Sequence, residues 1–86
     1  MAEYSIQIKK SAAKELEKIN LQDQERIIEK IRSLSKEPRP HGTKKLSGEE
    51  KYRIRQGSYR ILYQIHDDII TIVVVRIGHR RDVYKK

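Results

Sequence analysis

The residues of this chain best suited to chemistry are cations in its second half: Arg53 and Arg55, two positions apart, then Arg60, Arg80 and Arg81. A guanidinium presents forked donors that fit phosphate or carboxylate oxygens, and it stays charged at any cellular pH. A cluster of them is an electrostatic clamp and a poor proton carrier. Proton transfer would fall to a neighbour. A tyrosine titrates at about 10 when unperturbed, and nearby guanidinium groups favour its phenolate. His79 has a suitable intrinsic pKa. Glu49 and Glu50 offer a carboxylate alternative, but they lie in a loop among acidic and basic neighbours. The chain has no cysteine, and His41, His66 and His79 lack ligand spacing, so neither a metal centre nor a cofactor is expected.

The 86 residues carry 20 Lys plus Arg against 12 Asp plus Glu, a formal net charge of +8. Residues 1–36 are net +2 and residues 37–86 are net +6, so the positive field belongs to the second half. Such a field favours a phosphate backbone or an acidic protein partner. Ile, Leu and Val number 22, enough for one small folded domain whose core is built from branched aliphatics and five tyrosines, since Phe and Trp are absent. A chain this short hides only about 60 to 65% of its unfolded surface, which leaves room for a partner to add stability. No signal peptide is evident near the N-terminus, and the apolar run from Ile69 to Val75 is far short of a membrane span. A cytoplasmic protein with no membrane partner is expected.

The elements that must position these cations follow from periodicity. Tyr4, Ile6 and Ile8 alternate with polar residues, giving a strand over residues 3–9. Ser11 is the expected N-cap of a helix through Ile19, and Asn20 the cap of a second helix from Leu21 to Ser35 with Ile27, Ile28, Ile31 and Leu34 on one stripe. Residues 36–50 hold both prolines and two of the four glycines and read as a loop. Three strands follow, at residues 51–55, 59–66 and 69–77, separated by Gln-Gly and Asp-Asp turn signals. The order is β-α-α-β-β-β, an α+β fold with a two-helix hairpin on one face of a small, mostly antiparallel sheet.

A two-residue turn at Gln56-Gly57 predicts Arg53 opposite Arg60 and puts Arg53, Arg55 and Arg60 on one face. A like turn at Asp67-Asp68 sends Ile61, Tyr63, Ile65, Ile70, Ile72 and Val74 to the other face with Tyr52 and Ile54. Leu62, Val73, Val75 and Ile77 then form an apolar strip on the arginine face. Without further information, strand arginines of this kind are solvating or edge-protecting residues. Tyr52, Tyr59 and Tyr63 read as core side chains, as does Tyr4.

Lys-Leu-Ser-Gly at 45–48, Tyr-Arg-Ile-Arg at 52–55, Tyr-Arg-Ile-Leu-Tyr at 59–63 and Gly-His-Arg-Arg-Asp-Val-Tyr at 78–84 together resemble the RelE family of bacterial and archaeal toxins. The resemblance implies a RelE-like fold and a toxin that enters the ribosomal A site and cuts messenger RNA there. It also implies a hetero-oligomeric complex with a cognate antitoxin, for which the positive field predicts an acidic, amphipathic segment. It assigns catalytic roles to Arg53, Arg55, Arg60, Arg80 and Tyr84. Well-known members carry lysines where this chain has Arg53 and Arg55, so proton transfer shifts towards Tyr84. Lys44, Lys45 and Arg81 are read as RNA-phosphate contacts. The RNA would be cut by its own 2′-hydroxyl attacking the adjacent phosphorus, which needs a base, a clamp for the phosphorane charge and an acid for the leaving oxygen. Two alternatives share the charge or the fold. One is a non-catalytic toxin of the ParE type, understood to act on DNA gyrase; the other is a basic RNA-binding module.

Overall fold

The computed structural model describes residues 3–46 and 51–79. In chain order the elements are β1 (Ser5–Ile8), α1 (Lys10–Glu17), α2 (Leu21–Ser33), β2 (Lys44–Leu46), β3 (Lys51–Gln56), β4 (Tyr59–His66) and β5 (Thr71–His79). The strands form one sheet in the order β1-β5-β4-β3-β2, with β1 parallel to β5 and the other pairs antiparallel. The α+β expectation therefore holds, with one strand added. β2 lies inside the segment read as a loop, and its three residues are too few to show a period against the flanking Pro38, Pro40 and Gly42.

Helix α1 starts one residue before the expected Ser11 cap. The Lys9 amide still bonds Val74 O as the last rung of β1, so the strand turns straight into the helix and no side chain caps it. Asn20 caps α2 as expected, its Oδ1 accepting from the Asp23 amide at 2.9 Å. The Gln24 side chain, one turn on, donates back to Ile19 O at 2.6 Å and so covers a carbonyl left over at the end of α1. Ala12 from α1 and Ile27, Ile31 and Leu34 from α2 and its end are buried against Tyr52, Ile54, Ile61, Tyr63, Ile65, Ile72, Val74 and Ile77 of the sheet. Burying each large aliphatic there stabilises the fold by about 1.5–3 kcal/mol.

Both turns differ from the expected ones. Between β3 and β4 the turn residues are Gly57 and Ser58, because the first turn position requires a positive φ and Gly57 (φ 61°) supplies it. The pairs become Arg55 with Arg60 and Arg53 with Leu62. That slip is two residues, which preserves every face. Between β4 and β5 the connection takes four residues, 67–70, and Ile70 leaves the core face to sit 40% exposed. Ile70 has φ 49°, a left-handed conformation that a β-branched side chain resists. Its carbonyl accepts the Ser5 amide at 2.9 Å, which holds the strained residue in place. Ile70→Asn, which tolerates that conformation, is expected to raise stability by about 1 kcal/mol, read as a thermal midpoint several degrees higher.

A bulge in the β4–β5 ladder between Leu62 and Tyr63 sets Tyr63 opposite Val74 and Leu62 opposite Arg76, so the side chains after Val75 change faces. Ile77 consequently lies opposite Ile61 in the core, fully buried, rather than on the arginine face. The apolar strip expected there shrinks: Val75 is itself buried, and Leu62 and Val73 are half-buried. Nothing in the alternation of residues 69–77 announces the extra residue. Beyond Val74, β5 has no β1 partner, and Glu15 of α1 takes over that edge. Its carboxylate accepts from the Ile77 amide at 2.9 Å and from Arg76 Nε at 3.1 Å.

The segment before β2 is tied to the sheet by a polar clamp. Asp67 accepts from the Tyr4 hydroxyl and from Arg39, and Arg39 also donates to the Tyr52 hydroxyl while lying 5.1 Å over that ring. The buried Tyr63 hydroxyl donates to Pro38 O at 2.7 Å. The hydrogen bonds from Tyr4 and then Arg39 hold the Asp67 carboxyl below its usual range, and the same bond to Asp67 raises Tyr4 above its own. A depressed carboxyl contributes stability that is complete above its unfolded value of about 4 and is lost as pH falls through the lower folded value. A raised tyrosine contributes up to about 10 and is lost as pH rises beyond it. The thermal midpoint is therefore expected to fall at both extremes, and Asp67→Asn should flatten the acid limb in a pH series of melts.

Candidate nucleic-acid interface

Both helices cover one face of the sheet, and the register places Arg53, Arg55 and Arg60 together on the other. Arg55 and Arg60 are direct cross-strand partners, and Arg60 in turn faces Gly78 on β5. Two like charges in direct opposition repel, and a bound anion would relieve that cost. Gly78 has no side chain to crowd the arginine, and Arg60 is half-buried with its Nε shielded from solvent, while Arg55 is exposed. A small hollow of about 110 Å³ lies between Arg55, Tyr59 and Arg60 at the β3–β4 turn.

The short strand β2 separates the two lysines read as equivalent. Lys44 pairs with Arg53 and shares the arginine face, whereas Lys45 pairs with Tyr52 and belongs to the helix side of the sheet. Lys44, Arg53, Arg55 and Arg60 thus make a cationic track across β2, β3 and β4. Beside it, a cleft of about 460 Å³ opens at the edge of β3, with Lys30 of α2 and His41 on its far side. Periodicity shows Lys30 only as a polar residue between Ile27 and Ile31, so its place at this edge depends on how α2 packs.

His79, the other residue with a suitable intrinsic pKa, lies on the opposite side of the sheet. It pairs with Tyr59 on the helix side and meets that ring edge-on at 5.9 Å. Tyr52 and Tyr63 are buried and stacked at 5.9 Å, and Tyr4 and Tyr59 pack half-buried against the core, as expected of core tyrosines. Arg80, Arg81 and Tyr84 lie outside the described residues, as do Glu49 and Glu50. The arrangement that is described can clamp a phosphate and stabilise charge on it, and the three arginines cannot move a proton.

Residues 6–84 match the family described as the ParE toxin of type II toxin-antitoxin system, parDE. The chain is also 31% identical to Toxin RelG of Mycobacterium tuberculosis over 96% of its own length and 98% of that protein. The chain belongs to the RelE/ParE superfamily of toxins of type II toxin–antitoxin systems. The solved archaeal RelE–RelB complex from Pyrococcus horikoshii OT3 superposes with a TM-score of 0.82 at 27% identity, covering 92% of this chain and 97% of the other. The isolated RelE toxin of Escherichia coli gives 0.78 at 28% identity, covering 94% and 90%. This RelE/ParE toxin shares with them the two helices packed on a five-stranded sheet.

Proposed function

We propose that this toxin is a ribosome-dependent RNA endonuclease that cuts message in the A site and so halts translation. The observation that carries the reading is the grouping of Arg53, Arg55 and Arg60 with Lys44 on the sheet face that the helices leave open. Their chemistry fits a phosphorane: forked, permanently charged donors offered to non-bridging oxygens as negative charge builds. The 2′-hydroxyl of the message is the nucleophile, and the 5′-oxygen of the next nucleotide leaves. Such an activity belongs to the cytoplasm, where translating ribosomes are found. A RelB-like antitoxin is the partner proposed for it, because the net +8 chain attracts an acidic segment and relatives have been solved as RelE–RelB complexes.

The ParE description of the matching family favours a second reading, a toxin that acts on DNA gyrase. Adding the protein to a translating extract and mapping message ends by primer extension separates the two. New 5′ ends inside codons are the expected result. Intact message together with inhibited DNA supercoiling would establish the gyrase reading instead.

A further inference from the structure

Strand β2 stops at Lys44, opposite Arg53, so along residues 54–56 the outer edge of β3 has no paired strand among the described residues. The chain before β2 turns away there, with the Thr43 amide bonded back to Pro40 O at 3.0 Å. The gap left is the cleft of about 460 Å³, a volume within the usual range of about 300–1,000 Å³ for small-molecule sites. Its lining includes Lys30, Lys44, Arg53, Arg55 and His41, and among the described residues no carboxylate lines it. Gly42 (φ 94°) forms part of the wall, and the space where a side chain would stand is open. Lys30 is half-buried and reaches the cleft from the helix side of the sheet, whereas Arg53 and Arg55 reach it from the open side. The cleft therefore continues the cationic track around the sheet edge.

We propose that this cleft is a phosphate subsite for single-stranded RNA, receiving the nucleotide beside the one clamped over Arg55 and Arg60, with Lys30 as its distal cation. The proposal rests on the endonuclease reading and extends it to Lys30 and the His41–Gly42 wall, to which the resemblance assigns no role. Single-stranded RNA fits better than a duplex, because the strand must bend around an edge between a helix and a loop.

The test uses the full-length toxin and an uncleavable 2′-O-methyl RNA octanucleotide, with binding followed by fluorescence anisotropy across a salt series. Lys30→Gln is expected to weaken binding about five-fold at low salt and to reduce the salt slope by about 0.7, the change for one phosphate contact on a single strand. Lys30→Arg should bind like the unaltered protein. Lys14→Gln, the same charge change on an exposed position of α1, should lose less than about two-fold, as a residue that acts only through the general field. Unchanged binding by Lys30→Gln overturns the subsite. So does an equal loss in Lys14→Gln, which would mean bulk charge alone, or in Lys30→Arg, which would mean packing. The underlying reading is tested apart from this by message cleavage. Unaltered protein that binds the octanucleotide through Lys30 yet cuts no message keeps the subsite and removes the nuclease; cleavage with no Lys30 effect does the reverse.

Discussion

Arg60→Ala is expected to abolish growth arrest on induction and to slow message cleavage by about 10²–10³-fold, the usual cost of removing one donor that stabilises transition-state charge. Of Arg53, Arg55 and Arg60, Arg60 is the one whose strand lies centrally in the sheet, with β3 on one side and β5 on the other. Its side chain is half-buried with Nε shielded from solvent, so its guanidinium has less freedom than that of the exposed Arg55. Held donors need little reorganisation when charge develops, which is where such groups gain their effect. The fold should survive, because the truncated side chain is on the face opposite the hydrophobic core and its loss removes the repulsion from Arg55. Circular dichroism and a thermal melt check that. A folded Arg60→Ala variant that still arrests growth and cuts message at the original rate would remove the arginine face from catalysis.

That Arg53, Arg55 and Arg60 share a face was legible because side-chain alternation has a period of two. The expected turn at Gln56-Gly57 and the observed one at Gly57-Ser58 differ by two residues in register, and both leave the three arginines together. The partner of each arginine was not legible, since it depends on which residue takes the positive φ. Ile77 shows the opposite case. One extra residue at the β4–β5 bulge reverses the alternation, and a side chain expected on the arginine face closes the core instead.

The helices were legible from their stripes and from the Asn20 cap, which are local signals. The polar ties that fix the loop and the sheet edge were not. Arg39 with Asp67 and Glu15 with the Ile77 amide join residues far apart in sequence, and no period of two or 3.6 marks them. Lys30 belongs with these. A helix stripe tells which side of α2 is apolar, but only packing against β3 shows that a flanking lysine reaches the cleft.

The placement of His79 sharpens the question of where the protons go. With His79 against Tyr59 on the helix side, and guanidinium groups unable to give up a proton, Arg53, Arg55 and Arg60 supply a clamp but neither an acid nor a base. Among the residues that the RelE resemblance assigns to catalysis, Tyr84 is the one that can titrate. A phenol surrounded by guanidinium groups ionises more readily than a free one, and its ring can also stack on a base. Substitution by Phe keeps the ring and removes the proton. Tyr84→Phe is therefore expected to slow cleavage by about 10²–10⁴-fold with little loss of ribosome binding, the scale of acid–base catalysis. If the ring acts only by stacking, Tyr84→Phe will cut at nearly the original rate and Tyr84→Ala will be the damaging change. Single-turnover cleavage of ribosome-bound message by both variants distinguishes the roles, and unaltered rates in both would mean that the proton moves through the ribosome or solvent and not through this tyrosine.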